Sequence, residues 1–124
     1  MNTKIAAMAL ALLMAAAALA GEPVSTAQVQ QQIQDKKAAP YVLDVRTPGE
    51  FATGHVPGAN NIPVQLLAAR LAEVPKDRDV VVYCESGRRA TQAEALLQEK
   101  GYTRVRQMAG SMAAWREARL PVER

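Results

Sequence analysis

The sequence predicts an α/β fold, a central parallel sheet of about five strands with helices on both faces. Three observations carry this. Short runs of aliphatic and β-branched residues, Tyr41–Val45 and Val80–Tyr83, lack polar alternation, as expected of strands covered on both sides. Stretches with apolar residues at helical spacing separate these runs, the pattern of crossover connections between parallel strands. No internal repeat is visible, so the 124 residues hold a single folded domain.

The chain opens with a segment of another kind. Lys4 is followed by an apolar run, Ile5 to Ala18, and Ala18-Leu19-Ala20 resembles a small-residue cleavage site. Residues 1–20 are expected to be a secretory signal peptide and residues 21–124 the folded domain. The apolar run is short for a membrane span, so no stable membrane insertion is expected after cleavage. Export to a bacterial periplasm follows as the expected localisation.

Ser25 and Gln28 fit a capping box. Val29 and Ile33 then give a surface helix to about Lys37. After Ala38-Ala39-Pro40 comes the buried strand Tyr41–Val45, with Asp44 and Arg46 near its carboxyl end. Pro48 to Thr53 is a short helical turn with Glu50 in its first turn and Gly54 after it. Pro57–Asn61 is turn chemistry, and Ile62-Pro63 a brief strand end. Gln65 to Glu73 reads as a helix with Leu67 and Leu71 on one face. Val74–Asp79 is a loop into the strand Val80–Tyr83. Beyond it, Ala90, Ala93, Leu96 and Leu97 mark the buried face of a helix whose Glu94 faces solvent, with Gly101 as its end. Tyr102–Met108 contains a strand near a sheet edge. A last helix runs from Ser111, as N-cap, to about Arg119, with Met112 and Trp115 facing the core.

Composition narrows the function. The net charge is +3, with both signs interspersed, too weak a field for nucleic-acid binding. There is one cysteine and one histidine, so neither an internal disulfide nor a metal site is expected, and no cofactor is implied.

That cysteine stands at the centre of the chemistry. Val80-Val81-Val82-Tyr83 runs into Cys84-Glu85-Ser86-Gly87-Arg88-Arg89, and a helix follows. A bend beyond the carboxyl end of a parallel strand is where ligands sit in such folds. Gly87 permits a positive φ, which turns loop N–H groups inward as an anion nest, and the helix N-terminus adds its own. With Arg88 and Arg89, the loop favours a thiolate facing an anionic substrate. This convergence favours a reactive thiol over an inert buried cysteine. A Cys84–His55 pair of the protease kind is disfavoured because no orienting partner is evident, and a hydrogen-bonded structural His55 is expected.

Cys84–Arg89 resembles the active-site loop of the rhodanese family of sulfurtransferases. Leu43-Asp44-Val45-Arg46, Glu50-Phe51, Gly54-His55-Val56-Pro57-Gly58-Ala59 and Asn61-Ile62-Pro63 resemble the family's N-terminal signature, and the likeness extends over about Val24–Val122. The resemblance implies a single-domain rhodanese fold in which Cys84 takes sulfur from a thiosulfate-like donor as a persulfide and passes it to cyanide or a thiol. Backbone groups of Glu85, Ser86 and Gly87, with Arg88 and Arg89, would hold the donor, while Asp44 and Arg46 organise the fold. The expected partners are the small-molecule donor and acceptor, met by a monomer. The alternatives are a persulfide carrier or redox partner of low turnover, or a cysteine phosphatase or arsenate reductase. Three positions depart from the family pattern. Glu85 puts a negative charge beside the cysteine, Ala109 stands where the first of two glycines is usual, and Arg119 stands where a glycine often ends the last helix.

Overall fold

A computed structural model describes residues 21–124; the expected signal peptide, residues 1–20, lies outside the described residues. The elements are α1 (Thr26–Gln34), β1 (Tyr41–Asp44), α2 (Pro48–Ala52), β2 (Asn60–Asn61), α3 (Val64–Leu67), a 3₁₀ segment (Ala68–Glu73), β3 (Val80–Tyr83), α4 (Arg88–Glu99), β4 (Val105–Gln107) and α5 (Ser111–Glu117). The four strands form one parallel sheet in the order β2-β1-β3-β4. Val24 adds an isolated parallel bridge to Met108 just past β4, so the edge gains one residue of a fifth strand. The α/β architecture with helices on both faces is as the sequence predicts.

The strand order explains where the site lies. The chain moves outward from β1 to β2, then returns to the other side of β1 as β3. Asp44 of β1 pairs in register with Tyr83 of β3, so the loops leaving these strands meet at one edge. This reversal opens a crevice at the carboxyl ends of β1 and β3.

The side chains of β3 alternate between two cores. Val80, Val82 and Cys84 pack with Leu43, Leu67, Ala90, Ala93 and Leu97, under α3 and α4. Val81 and Tyr83 pack with Val29, Met108, Met112 and Trp115, under α1 and α5. Each such aliphatic side chain contributes about 1.5–3 kcal/mol by leaving water. Trp115 is fully buried, and its indole N–H donates to the Pro121 carbonyl at 2.8 Å, which removes the cost of burying that group.

Local chemistry sets several boundaries. Ser25 and Gln28 form the expected capping box, but α1 stops at Gln34, where Asp35 turns extended. Thr47 and Glu50 form a second capping box on α2, with Pro48 in its first turn. The strand next to β1 is Asn60–Asn61 rather than Ile62-Pro63. Asn60 and Asn61 gain their conformation from β1, and the Asn61 side-chain amide donates to Asp44 and Arg46 carbonyls at 3.0 and 2.9 Å. The helix expected over Gln65–Glu73 is an α turn followed by a 3₁₀ segment, with Arg70 at φ −119° breaking the helical path. Glu94 is half-buried rather than solvent-facing, where it accepts a hydrogen bond from Gln107 Nε2 at 3.0 Å.

Candidate active site

Strand β3 is buried at all four positions and carries Cys84 into the crevice as its next residue, 1% exposed. The loop turns at Gly87, whose φ of +120° is closed to most side chains. A Cβ there would meet nothing within 4 Å, so conformation and not space demands the glycine. The turn brings the Gly87 N–H to 3.1 Å and the Ala90 N–H to 3.4 Å from Cys84 Sγ. Both donors belong to the start of α4, where the first N–H groups lack helical partners. Donors fixed in a water-poor cradle stabilise negative charge on sulfur.

The far side of the loop is held by the start of α5. Met112 N–H donates to the Cys84 carbonyl and Ala113 N–H to the Glu85 carbonyl, both at 3.0 Å. Ser111 is not the N-cap expected of it. Gly110, at φ +71°, takes the cap position, and Ser111 is the first helical residue at φ +55°. The two left-handed positions that would favour paired glycines are therefore 110 and 111, so the departure lies at Ser111 and not at Ala109. The Ser111 hydroxyl accepts the Cys84 N–H at 3.2 Å and lies 3.9 Å from Sγ. No local pattern signals this contact, because it joins residues 27 positions apart.

The charged residues pair in a definite way. Asp44 and Arg46, 0% and 1% exposed, form a bidentate ion pair, its shortest contact 2.7 Å. Arg46 also donates to the Gly54 carbonyl at 2.8 Å and stands 5.6 Å from the Tyr83 ring centre. Burial lowers the affinity of Arg46 for its proton, but the Asp44 carboxylate outweighs this and the net shift is upward. Burial, then the charge of Asp44, push the Tyr83 phenol well above its ordinary range. That phenol accepts the Val56 N–H at 3.1 Å, tying the Gly54–Ala59 turn to β3. The Asp44–Arg46 pair thus ties the end of β1 to the Gly54 carbonyl at the floor of the crevice.

Arg89 reaches back to Glu50 in a bidentate pair, 2.7 and 3.0 Å. The Arg89 hydrogen bond is the main reason the Glu50 carboxyl is lowered from 4.5 to about 2. Arg88 is exposed and, with Ser86 and Gly87, lines a cleft of about 440 Å³ between the loop and Gly110-Ser111. Glu85 does not stand unopposed beside the thiol. Its carboxylate pairs with Arg116, and the other oxygen lies 3.5 Å from Arg46. A second cleft, of about 520 Å³, opens on this side, with Glu85 and Arg116 on one wall and Met112, Leu120 and Val122 as apolar lining.

His55 lies outside this set. Its Nδ1 bonds to the Phe51 carbonyl at 2.9 Å and its ring stacks on Phe51, centroids 3.6 Å apart. Among the described residues, the hydrogen-bonding partners of Cys84 Sγ are Gly87, Ala90 and Ser111. No group of three or more His, Cys, Asp or Glu residues is placed to hold a metal, and no helix is long and apolar enough to cross a membrane, among the described residues. The crevice can therefore present a desolvated sulfur nucleophile to a donor, with fixed N–H groups in place of water.

Comparison with known proteins agrees with this geometry. The Rhodanese-like domain family matches residues 25–118. A sulfurtransferase of Allochromatium vinosum is 40% identical over 99 residues, covering 80% of this chain and 92% of the relative. The thiosulfate sulfurtransferase PspE of Escherichia coli is 44% identical over 75 residues, 59% of this chain and 72% of its own. A crystal structure of a rhodanese-related protein from Thermoplasma volcanium superposes with a TM-score of 0.74 at 28% identity, covering 82% of this chain and 97% of that one. On the fold, the Cys84 cradle and these matches together, the chain belongs to the rhodanese-like family.

Proposed function

We propose that the protein is a sulfurtransferase that moves sulfane sulfur from a thiosulfate-like donor through a Cys84 persulfide to cyanide or a thiol. The observation that carries this is the pair of backbone N–H groups on Cys84 Sγ, 3.1 and 3.4 Å away in a buried loop. In the first half-reaction the thiolate attacks the outer sulfur of the donor. The donor S–S bond breaks, sulfite leaves with the electron pair, and the persulfide remains. In the second, the acceptor attacks the outer sulfur and Cys84 departs as thiolate. Donor and acceptor use the site in turn, so ping-pong kinetics follow. Neither step needs a proton moved by a base, which agrees with His55 being engaged elsewhere.

Glu85–Gly87 would line the persulfide with their backbones, and exposed Arg88 would meet the anionic donor. Arg89, clasped to Glu50, would fix the loop and lend only part of its charge. The relatives named sulfurtransferase and thiosulfate sulfurtransferase support the reaction class. Loop length argues against a phosphatase. Cysteine phosphatases cradle phosphate with five residues between Cys and Arg, whereas four separate Cys84 from Arg89. We further propose that residues 1–20 direct the domain to the periplasm, on the strength of Lys4, the apolar run and Ala18-Leu19-Ala20.

The test is intact mass after incubation with thiosulfate. One added sulfur on the natural protein, absent in Cys84→Ser, is expected, followed by its loss on adding cyanide. A natural protein that gains no mass while hydrolysing an aryl phosphate through Cys84 would reverse the assignment.

A further inference from the structure

Among the described residues only Ser111 and Arg119 combine a side chain with a positive φ. Arg119 is exposed at a helix end, but Ser111 is fully buried. Backbone strain of this kind persists where the surroundings over-determine it, and it gathers at functional sites. Here the surroundings are explicit. Gly110 precedes Ser111 at φ +71°, and a Cβ on Gly110 would lie 2.6 Å from that of Ala114. The Ser111 N–H donates to the Met108 carbonyl at 3.0 Å, and the next two N–H groups hold the Cys84 and Glu85 carbonyls.

The result is a hydroxyl beneath the nucleophile. The Cys84 N–H can only donate, so Ser111 Oγ accepts it, at 3.2 Å. Ser111 is closed off from solvent, and its Oγ lies 3.9 Å from Cys84 Sγ, a contact in which either atom can donate while the sulfur is a thiol and only the hydroxyl can once it is a thiolate. Neither glycine nor alanine at this position could supply either contact.

We propose that Ser111 is a positioning residue that holds Cys84 by its N–H and turns its own hydroxyl proton to Sγ, favouring discharge of the persulfide. This rests on the sulfurtransferase reading. In discharge to cyanide, the cyanide carbon attacks the outer sulfur and the Cys84 S–S bond breaks. The electron pair returns to Sγ, and thiocyanate leaves. Atoms and charge balance without an outside oxidant. A hydroxyl proton aimed at Sγ makes it a better leaving group, and for the same reason a poorer nucleophile in loading. Sulfur exchange responds to both effects with about half of the change in thiolate stability.

The experiment measures loading by thiosulfate and discharge to cyanide separately, by rapid quench and intact mass, in Ser111→Gly and Ser111→Ala. Both variants lose the hydroxyl, but only glycine relieves the left-handed backbone, so Ser111→Gly melts above Ser111→Ala. Rates are taken where they no longer rise with pH. Discharge is expected to slow about threefold and loading to quicken about threefold in both variants, whatever their difference in melting temperature. Half-reactions that keep their natural ratio in both variants overturn the proposal, whether the rates stay constant or fall together. A natural protein that forms persulfide with that outcome sinks this inference alone. One that forms no persulfide sinks the sulfurtransferase reading and this inference with it.

Discussion

Replacing Asp44 with alanine tests the floor of the crevice. Asp44 holds Arg46 through its guanidinium and also accepts the Arg46 backbone N–H at 2.9 Å. Both side chains are shut off from water. Asp44→Ala leaves a buried guanidinium with the Gly54 carbonyl at 2.8 Å and a half-exposed Glu85 oxygen at 3.5 Å. Breaking a buried pair from one side costs about 3–5 kcal/mol. The remaining contacts bring the ionic part to the low end, about 3 kcal/mol, and the orphaned backbone N–H adds at least about 1 kcal/mol. A loss of about 4 kcal/mol is a large share of the roughly 5–15 kcal/mol that holds a domain folded. With a urea slope of about 1.5 kcal/mol/M, the unfolding midpoint falls by about 3 M. The double variant Asp44→Leu, Arg46→Met removes both charges and keeps only the cost of the unpaired backbone N–H at position 46, so it should lie about 1–2 kcal/mol below the natural protein. Urea titration by circular dichroism reads both. A fall under about 0.5 M in Asp44→Ala, or a double variant as weak as the single one, would refute the buried-pair account.

Three further perturbations follow from the geometry. The Glu50 carboxyl is lowered in the folded state from 4.5 to about 2, so its stabilising effect is complete above pH 4.5 and is lost as pH falls from there through 2. The pair is about one-third exposed, so screening reduces the effect to about 1 kcal/mol; urea midpoints of the natural protein and Glu50→Gln should converge in acid, and parallel pH curves would count against the clasp. Arg119→Gly should raise stability by about 1 kcal/mol in thermal melts, because an exposed left-handed residue at φ +54° gains from losing its Cβ; an unchanged melting temperature would contradict this. Gly110→Ala should cost about 2–4 kcal/mol through its left-handed backbone and a 2.6 Å clash with Ala114, and a stable variant would show that the α5 cap can shift.

What could be read from the sequence was local. Val80–Tyr83, Cys84, Gly87 and the Ala90/Ala93/Leu97 face announce strand, turn and helix within 20 residues, and each lies where the pattern put it. The Ser25/Gln28 box, Gly101 and buried Trp115 were legible for the same reason. What escaped depends on distant partners. Asn60-Asn61 becomes a strand only because β1 offers it a ladder. Arg89 finds Glu50 across 39 positions, and Glu85 is balanced by Arg116 across 31. Serine favours the N-cap and Ser111 reads as one, but the left-handed turn at Gly110 moves the cap back by one residue and hands the Ser111 hydroxyl to Cys84. Long-range electrostatics and backbone handedness decide these cases, and neither leaves a short-range periodic trace.

The alternation along β3 places the thiol by parity. Val80, Val82 and Cys84 share one side of the sheet with α4, while Val81 and Tyr83 share the other with α5. The cradle N–H groups of Gly87 and Ala90 come from α4, on the same side as Sγ. One residue inserted within β3 would send every later side chain to the opposite side. Sulfur would then point toward Met112 and Trp115, away from its donors, and Tyr83 would leave Val56. Two inserted residues would restore the phase. Length changes compatible with this chemistry therefore come in even steps within β3, while the preceding loop at 74–79 is free to absorb odd ones.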